Sequence, residues 1–188
     1  MDHSGSSVGP HPCHVEVIPL GVVDSVAVSV AAANIQAVLG MPADVAAPWP
    51  DPVHAVIPAR RQYNALVLLR DLDNGTPAEG LRLGLLDKDL CVPVFSYVLG
   101  EARLGGRAAV VSLHRLRAGA HGRSADRSLM YERLAKVALH ETAHLLGREH
   151  CREPGCLMGF SARVDHLDRL SSFCDACSHY LRATVART

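Results

Sequence analysis

Apolar and polar residues alternate through "HVEVIPLG" (residues 14–21), the period-two pattern of a strand with one face buried. "DSVAVSVAAANIQAVLG" follows, with Asp24 placed to cap a helix and Gly40 to end it. The Pro-rich "MPADVAAPWPDP" predicts a loop, and "VHAVIPAR" (residues 53–60) a second strand. A second helix is expected in "NALVLLRDLDNG", capped by Asn64 and stopped at Asn74-Gly75. "LRLGLLDKDLCVP" and "SYVLGEARLGGRAAVVSLHRL" read as further strands, the latter as a pair joined around Gly105-Gly106. From Ser124, a candidate N-cap, "SADRSLMYERLAKVALHETAHLLG" runs without Pro or Gly to Gly147. Its C-terminal half is apolar on more than one face, so this long helix should lie buried against the sheet. Strand, helix, strand, helix and then a run of strands predict an α/β fold with a mixed sheet.

Composition narrows the class. In 188 residues, 48% are hydrophobic and 20% charged, which fits one globular core better than two. Residues 1–14 read as a flexible tail and residues 15–188 as one domain, with a small subdomain over residues 148–188. No basic, apolar leader opens the chain, and the apolar stretch from Val17 to Gly40 is broken by Pro19, Asp24, Asn34 and Gln36. Neither a secretory signal nor a membrane span is therefore expected, and a cytoplasmic location follows. Net charge is zero, and from Arg148 onward six Arg face five acidic residues with no Lys, a poor footprint for nucleic acid. Oligomeric state has no signature here.

Chemistry concentrates in "HETAHLLGREHC". His140 and His144 stand four apart, so on a helix they project from one face and can share an ion. Glu141 cannot join them as a ligand without distorting the helix, but it can reach a water on the open side of the ion, the place of a general base. Gly147 favours a left-handed turn that reverses the chain and returns His150 to the same ion. Three imidazoles leave one vertex of a tetrahedron open, which is the arrangement of catalytic zinc.

Six cysteines in a chain without a signal read as thiols or metal ligands. Cys13 and Cys91 are isolated. Cys151, Cys156, Cys174 and Cys177 form two short-spaced pairs that suit a closed four-thiolate zinc site, stabilising a segment too small for a core of its own. Because His150 and Cys151 are adjacent, the second site should help fix the third ligand of the first. His166 and His179 lie nearby and are not needed once four thiols complete a tetrahedron.

The run HExxHxxGxxHCxxxxCxM followed by CxxC resembles the archaemetzincins, a metzincin-like family of zinc metallopeptidases, and "RRQYNA" and "VLGEARLGGRAAVVSL" are similar to segments of that family. The resemblance implies a metzincin-like fold with His140, His144 and His150 on catalytic zinc and Glu141 as the base. It also implies a second zinc on Cys151, Cys156, Cys174 and Cys177, and a peptide or protein substrate. By the same resemblance Met158 matches the methionine beneath the catalytic site, and part of residues 98–112 forms the edge strand along which a peptide would lie. Phe160, where some metzincins carry a tyrosine ligand, has no donor atom, so no further protein ligand is expected from that turn. The segment from Met158 to Cys174 is slightly shorter than the family pattern. Arg60, Arg61 and Tyr63 read as an exposed loop face, with orientation of a substrate carbonyl as the other possibility. The rival to a peptidase is a catalytically silent, zinc-stabilised binding or regulatory protein.

Overall fold

β1 (His14–Leu20) shows why the first strand forms: Val15 and Val17 face one layer of the core while Ile18 and Leu20 face the other. A computed structural model describes residues 14–74, 80–119, 124–160 and 163–187; residues 1–13 of the expected tail, with Cys13, and the stop residue Gly75 lie outside them, and His14 belongs to β1. The main sheet has the order β2-β1-β5-β8-β7, built from β2 (Ala43–Val45), β5 (Gly80–Leu86), β8 (Ala108–Ser112) and β7 (Gly100–Ala102). β2, β1, β5 and β8 run parallel, and β7 is antiparallel on the edge. β8 is buried at every residue, since a parallel strand covered on both faces has no polar side to show.

α1 (Ser25–Asn34) and α3 (Arg127–Leu145) cover one face of the sheet, and α2 (Ala65–Asn74) the other. Asp24 caps α1 by accepting from the Val26 amide at 3.0 Å, and its second oxygen takes a 2.7 Å bond from the Tyr131 hydroxyl of α3. The predicted helix to Gly40 is present with its last turn widened into a π turn over Ile35–Leu39. Asn64 caps α2 as expected, through the Leu66 amide at 3.0 Å.

Three expectations are corrected. Residues 53–60 are two 3-10 turns around the two-residue strand β3 (Val56–Ile57), which pairs with β4 (Gln62–Asn64) in a small sheet completed by β6 (Leu90–Cys91). Pro58 lacks an amide hydrogen and bends the chain, and Arg61 at φ +54° completes the reversal. The loop after Met41 contains β2, held in the sheet by main-chain pairing with β1 that a three-residue strand between prolines does not advertise. The cap of α3 is Asp126, accepting from the Leu129 amide at 2.8 Å, because Ser124 is held in an isolated bridge with Ala118.

Past α3 come α4 (Val164–Leu167) and α5 (Asp175–Val185). Buried Arg133 of α3 joins this segment to the core through a bidentate pair with Asp168, both contacts 2.7 Å, and a 2.9 Å bond to the Leu116 carbonyl. Among the described residues, no helix is long and apolar enough to cross a membrane.

Candidate metal centres in the cleft

α3 ends where the sequence places its stop. Gly147 has φ +82°, its amide donates to the His144 carbonyl at 2.9 Å, and the Arg148 amide reaches the Ala143 carbonyl at 2.9 Å, the paired bonds of a Schellman cap. The cap turns the chain so that His150 comes back over the helix face carrying His140 and His144. The ring centroids lie 4.6, 4.8 and 5.2 Å apart, and one ligand nitrogen from each ring falls within 4.8 Å of the others.

Two main-chain carbonyls decide which nitrogens face inward. His140 Nδ1 donates to the Leu157 carbonyl and His144 Nδ1 to the Arg148 carbonyl, each at 2.7 Å. A carbonyl only accepts, so both protons sit on Nδ1 and both Nε2 lone pairs are free. These Nε2 atoms stand 3.0 Å apart. Two lone pairs at that distance repel unless a cation lies between them. Burial, aided by the other two histidines, pushes His140 down to about 4, and burial also lowers His144 and His150, so protons do not fill that role at neutral pH. The donor set fits a metal ion, and neutral imidazoles with borderline-soft nitrogens fit zinc.

Glu141 is 6% exposed and lines the same cleft, and burial, with Glu101 adding repulsion, holds its carboxyl well above the usual range. It packs against Gly100 of β7 so closely that a Cβ there would lie 2.7 Å from Oε1. The cleft measures about 720 Å³ and runs between β7 and α3, with Phe95, Tyr97, Leu104 and Phe160 on its walls. Phe160 stands edge-on to His150 at 5.3 Å and adds no ligand.

Cys151, Cys156, Cys174 and Cys177 form a second group. Cys151 and Cys174 sulfurs are 3.9 Å apart and those of Cys156 and Cys177 3.6 Å. Disulfides are absent from both pairs, and the spacing matches the edge of about 3.8 Å expected for a tetrahedron of about 2.3 Å zinc–sulfur bonds. The Glu153 amide, donating at 3.4 Å, lowers Cys151 to about 7, a thiol ready to bind metal as thiolate. Buried Met158 accepts from the Cys151 amide through its carbonyl at 2.8 Å and belongs to the core. His166 and His179 are exposed and belong to neither group.

The exposed face expected of the upstream candidates is corrected: Arg61 is exposed, but Arg60 is half-buried and Tyr63 is buried in β4. Arg60 donates to the Phe95 and Ser96 carbonyls at 2.6 and 2.7 Å, which holds the rim of the cleft, and the Tyr63 hydroxyl bonds Asp51 at 2.9 Å. Sequence reasoning misses three contributors: the Leu157 and Arg148 carbonyls, which carry no residue signature, and Gly100, whose position in a strand pattern is a signal of close approach.

An α/β core with a long buried helix, an antiparallel edge strand beside it and a three-histidine group at the helix end defines a metzincin-like zinc hydrolase. The sequence profile of peptidase family M54 matches residues 53–183. The chain belongs to this family, the archaemetzincins, and is a zinc metallopeptidase. It is 41% identical over 125 residues to the archaemetzincin of Archaeoglobus fulgidus, covering 66% of this chain and 71% of that one. To the Methanopyrus kandleri archaemetzincin it is 39% identical over 138 residues, 72% of this chain and 75% of the other. The crystal structure of the A. fulgidus protein complexed with malonate superposes with a TM-score of 0.77 at 34% identity, over 89% of this chain and 99% of that one. That of the M. kandleri protein gives 0.81 at 30%, over 97% and 99%. The three-histidine and four-cysteine groups suit one catalytic and one structural zinc ion.

Proposed function

We propose that the protein hydrolyses peptide bonds with His140, His144 and His150 as the ligands of catalytic zinc and Glu141 as the general base. The observation that carries this reading is the buried Glu141 carboxyl beside two imidazoles whose Nε2 atoms are bared by main-chain carbonyls. Zinc bound there supplies Lewis-acid polarisation of the scissile carbonyl and of the attacking water. Glu141 takes the proton of that water on a carboxylate oxygen and passes it to the leaving amine. Its raised affinity for protons, caused first by burial and then by Glu101, favours taking the proton from the water.

The substrate is a peptide or protein segment in extended form. β7 is the last strand of its sheet and borders the cleft, so its outer edge offers backbone donors and acceptors that align a peptide without demanding particular side chains. Cys151, Cys156, Cys174 and Cys177 hold the structural zinc, which fastens residues 148–188 to a catalytic domain beginning at residue 15.

Glu141→Gln tests the mechanism. It should retain the full zinc content of the wild type and lose about 10²–10⁴-fold in turnover of a peptide library. Hydrolysis at the wild-type rate overturns the assignment of the base. Silence of the wild type with two zinc ions verified leaves the non-catalytic reading instead.

A further inference from the structure

We propose that Arg148 is a positioning residue that couples the two metal centres, so that filling the four-cysteine site strengthens zinc binding by the three histidines. The proposal rests on both groups holding metal, and is independent of hydrolysis.

Arg148 touches both groups with different atoms. Its carbonyl takes the Nδ1 proton of His144 at 2.7 Å and thereby fixes the tautomer and the ring direction. Its Nε donates to Cys177 Sγ at 3.2 Å. Its amide, bonded to the Ala143 carbonyl at 2.9 Å, anchors the same residue to the end of α3. A four-thiolate site around a dication carries an excess of two negative charges, and the Arg148 guanidinium is a cation in contact with it. The Tyr180 ring lies beside the guanidinium, its centroid 5.5 Å from Cζ, while its hydroxyl donates to the Leu146 carbonyl at 3.3 Å. Side chain and main chain of one residue are thus fixed by the two centres together, and the peptide unit cannot rotate to suit one without disturbing the other.

The remaining histidines are tied to the same segment. Leu157, whose carbonyl orients His140, follows Cys156 directly, and His150 precedes Cys151. The Cys174 amide donates to Cys156 Sγ at 3.4 Å, which links α5 to this segment. Every histidine is therefore held by a main-chain position next to, or bonded to, a cysteine ligand. Arg148 alone among these positions also contacts a cysteine sulfur through its side chain. Binding at two sites joined in this way is reciprocal: whatever factor the thiolate zinc adds to the histidine site, the histidine zinc returns.

The test measures metal, not turnover. In wild-type holoprotein, Arg148→Met and Arg148→Lys, zinc is withdrawn with a competing chelator, and cobalt replacement distinguishes the sites, since only the four-cysteine site gives intense thiolate-to-cobalt charge-transfer bands. Arg148→Met should weaken the four-cysteine site by about 10–100-fold and the three-histidine site in parallel by several-fold. Arg148→Lys keeps the charge and should recover most of the loss at the sulfur site. Unchanged affinity at both sites in Arg148→Met, loss confined to the four-cysteine site, or Arg148→Lys as weak as Arg148→Met overturns the coupling. Should Arg148→Met fail to fold, Arg148→Gln takes its place, and titration of wild-type holoprotein with a mercurial thiol reagent tests the coupling of the centres: loss of both zinc ions in one transition is expected, and retention of the histidine-bound ion after the thiolate-bound ion has gone refutes it. A wild type that binds no metal at the histidines fails the functional reading itself, which the zinc stoichiometry reveals before any variant is made.

Discussion

Gly100→Ala puts one methyl group against the proposed base. The new Cβ would lie 2.7 Å from Glu141 Oε1, 2.8 Å from Cγ and 2.9 Å from Cδ, each well inside van der Waals contact. β7 is pinned by pairing with β8, and α3 is locked by its burial, so the carboxyl group is what yields. Relief requires a shift of roughly half an ångström to one ångström, at an overpacking cost of about 1–3 kcal/mol. A misplacement of that size at a reacting group lowers turnover by about 10²-fold. The assay is kcat on a peptide substrate together with zinc content and the thermal midpoint. The expected result is a kcat reduced by about 10²-fold, unchanged zinc, and a midpoint lower by about 2–10 °C. Gly40→Ala supplies the comparison: Gly40 also resists substitution, with φ +68°, but nothing lies within 4 Å of its Cβ position. It should lower stability by about 1 kcal/mol and leave kcat alone. Wild-type turnover in Gly100→Ala would refute the placement of Glu141 as the group that moves the proton.

Two further outcomes follow from charge and burial. His140 is held near 4 in the fold against an ordinary 6.5, so the unfolded chain binds the extra proton between those values, and stability rises with pH across that window. In metal-free Glu141→Gln protein, which lacks the opposing titration of that buried carboxyl, stability should therefore fall as pH drops from about 6.5 toward 4, read from urea midpoints, and a flat profile would contradict the burial of that ring. Arg133→Ala should cost about 2–3 kcal/mol by denaturant titration, less than a wholly buried pair because Asp168 is 35% exposed, and a loss under 0.5 kcal/mol would show that the pair does not fasten α4 to α3.

What the sequence disclosed is what local spacing controls. The helix carrying His140 and His144, its stop at Gly147 and the two short-spaced cysteine pairs follow from intervals of two to five residues, whereas the sulfur neighbours, Cys151 with Cys174 and Cys156 with Cys177, cross from one pair to the other. β2 stayed hidden because three residues cannot display a period, and residues 53–60 misled because the apolar alternation of Val53, Ala55 and Ile57 is also served by 3-10 turns ahead of Pro58. The contact of Gly100 with Glu141 joins positions 41 apart, beyond any pattern. Orientation of the histidines by Leu157 and Arg148 uses only carbonyl oxygens, which every residue owns.

The hydrogen bond from His140 to Leu157 spans 17 positions, and the sulfur pairs reach forward from Cys151 and Cys156 to α5. A growing polypeptide that has released only the long helix therefore presents its histidines without their anchors. On this arrangement hydrolytic competence arrives late in synthesis, once Cys177 is free to close the sulfur cage, and a half-made protease has no finished centre with which to cut its neighbours.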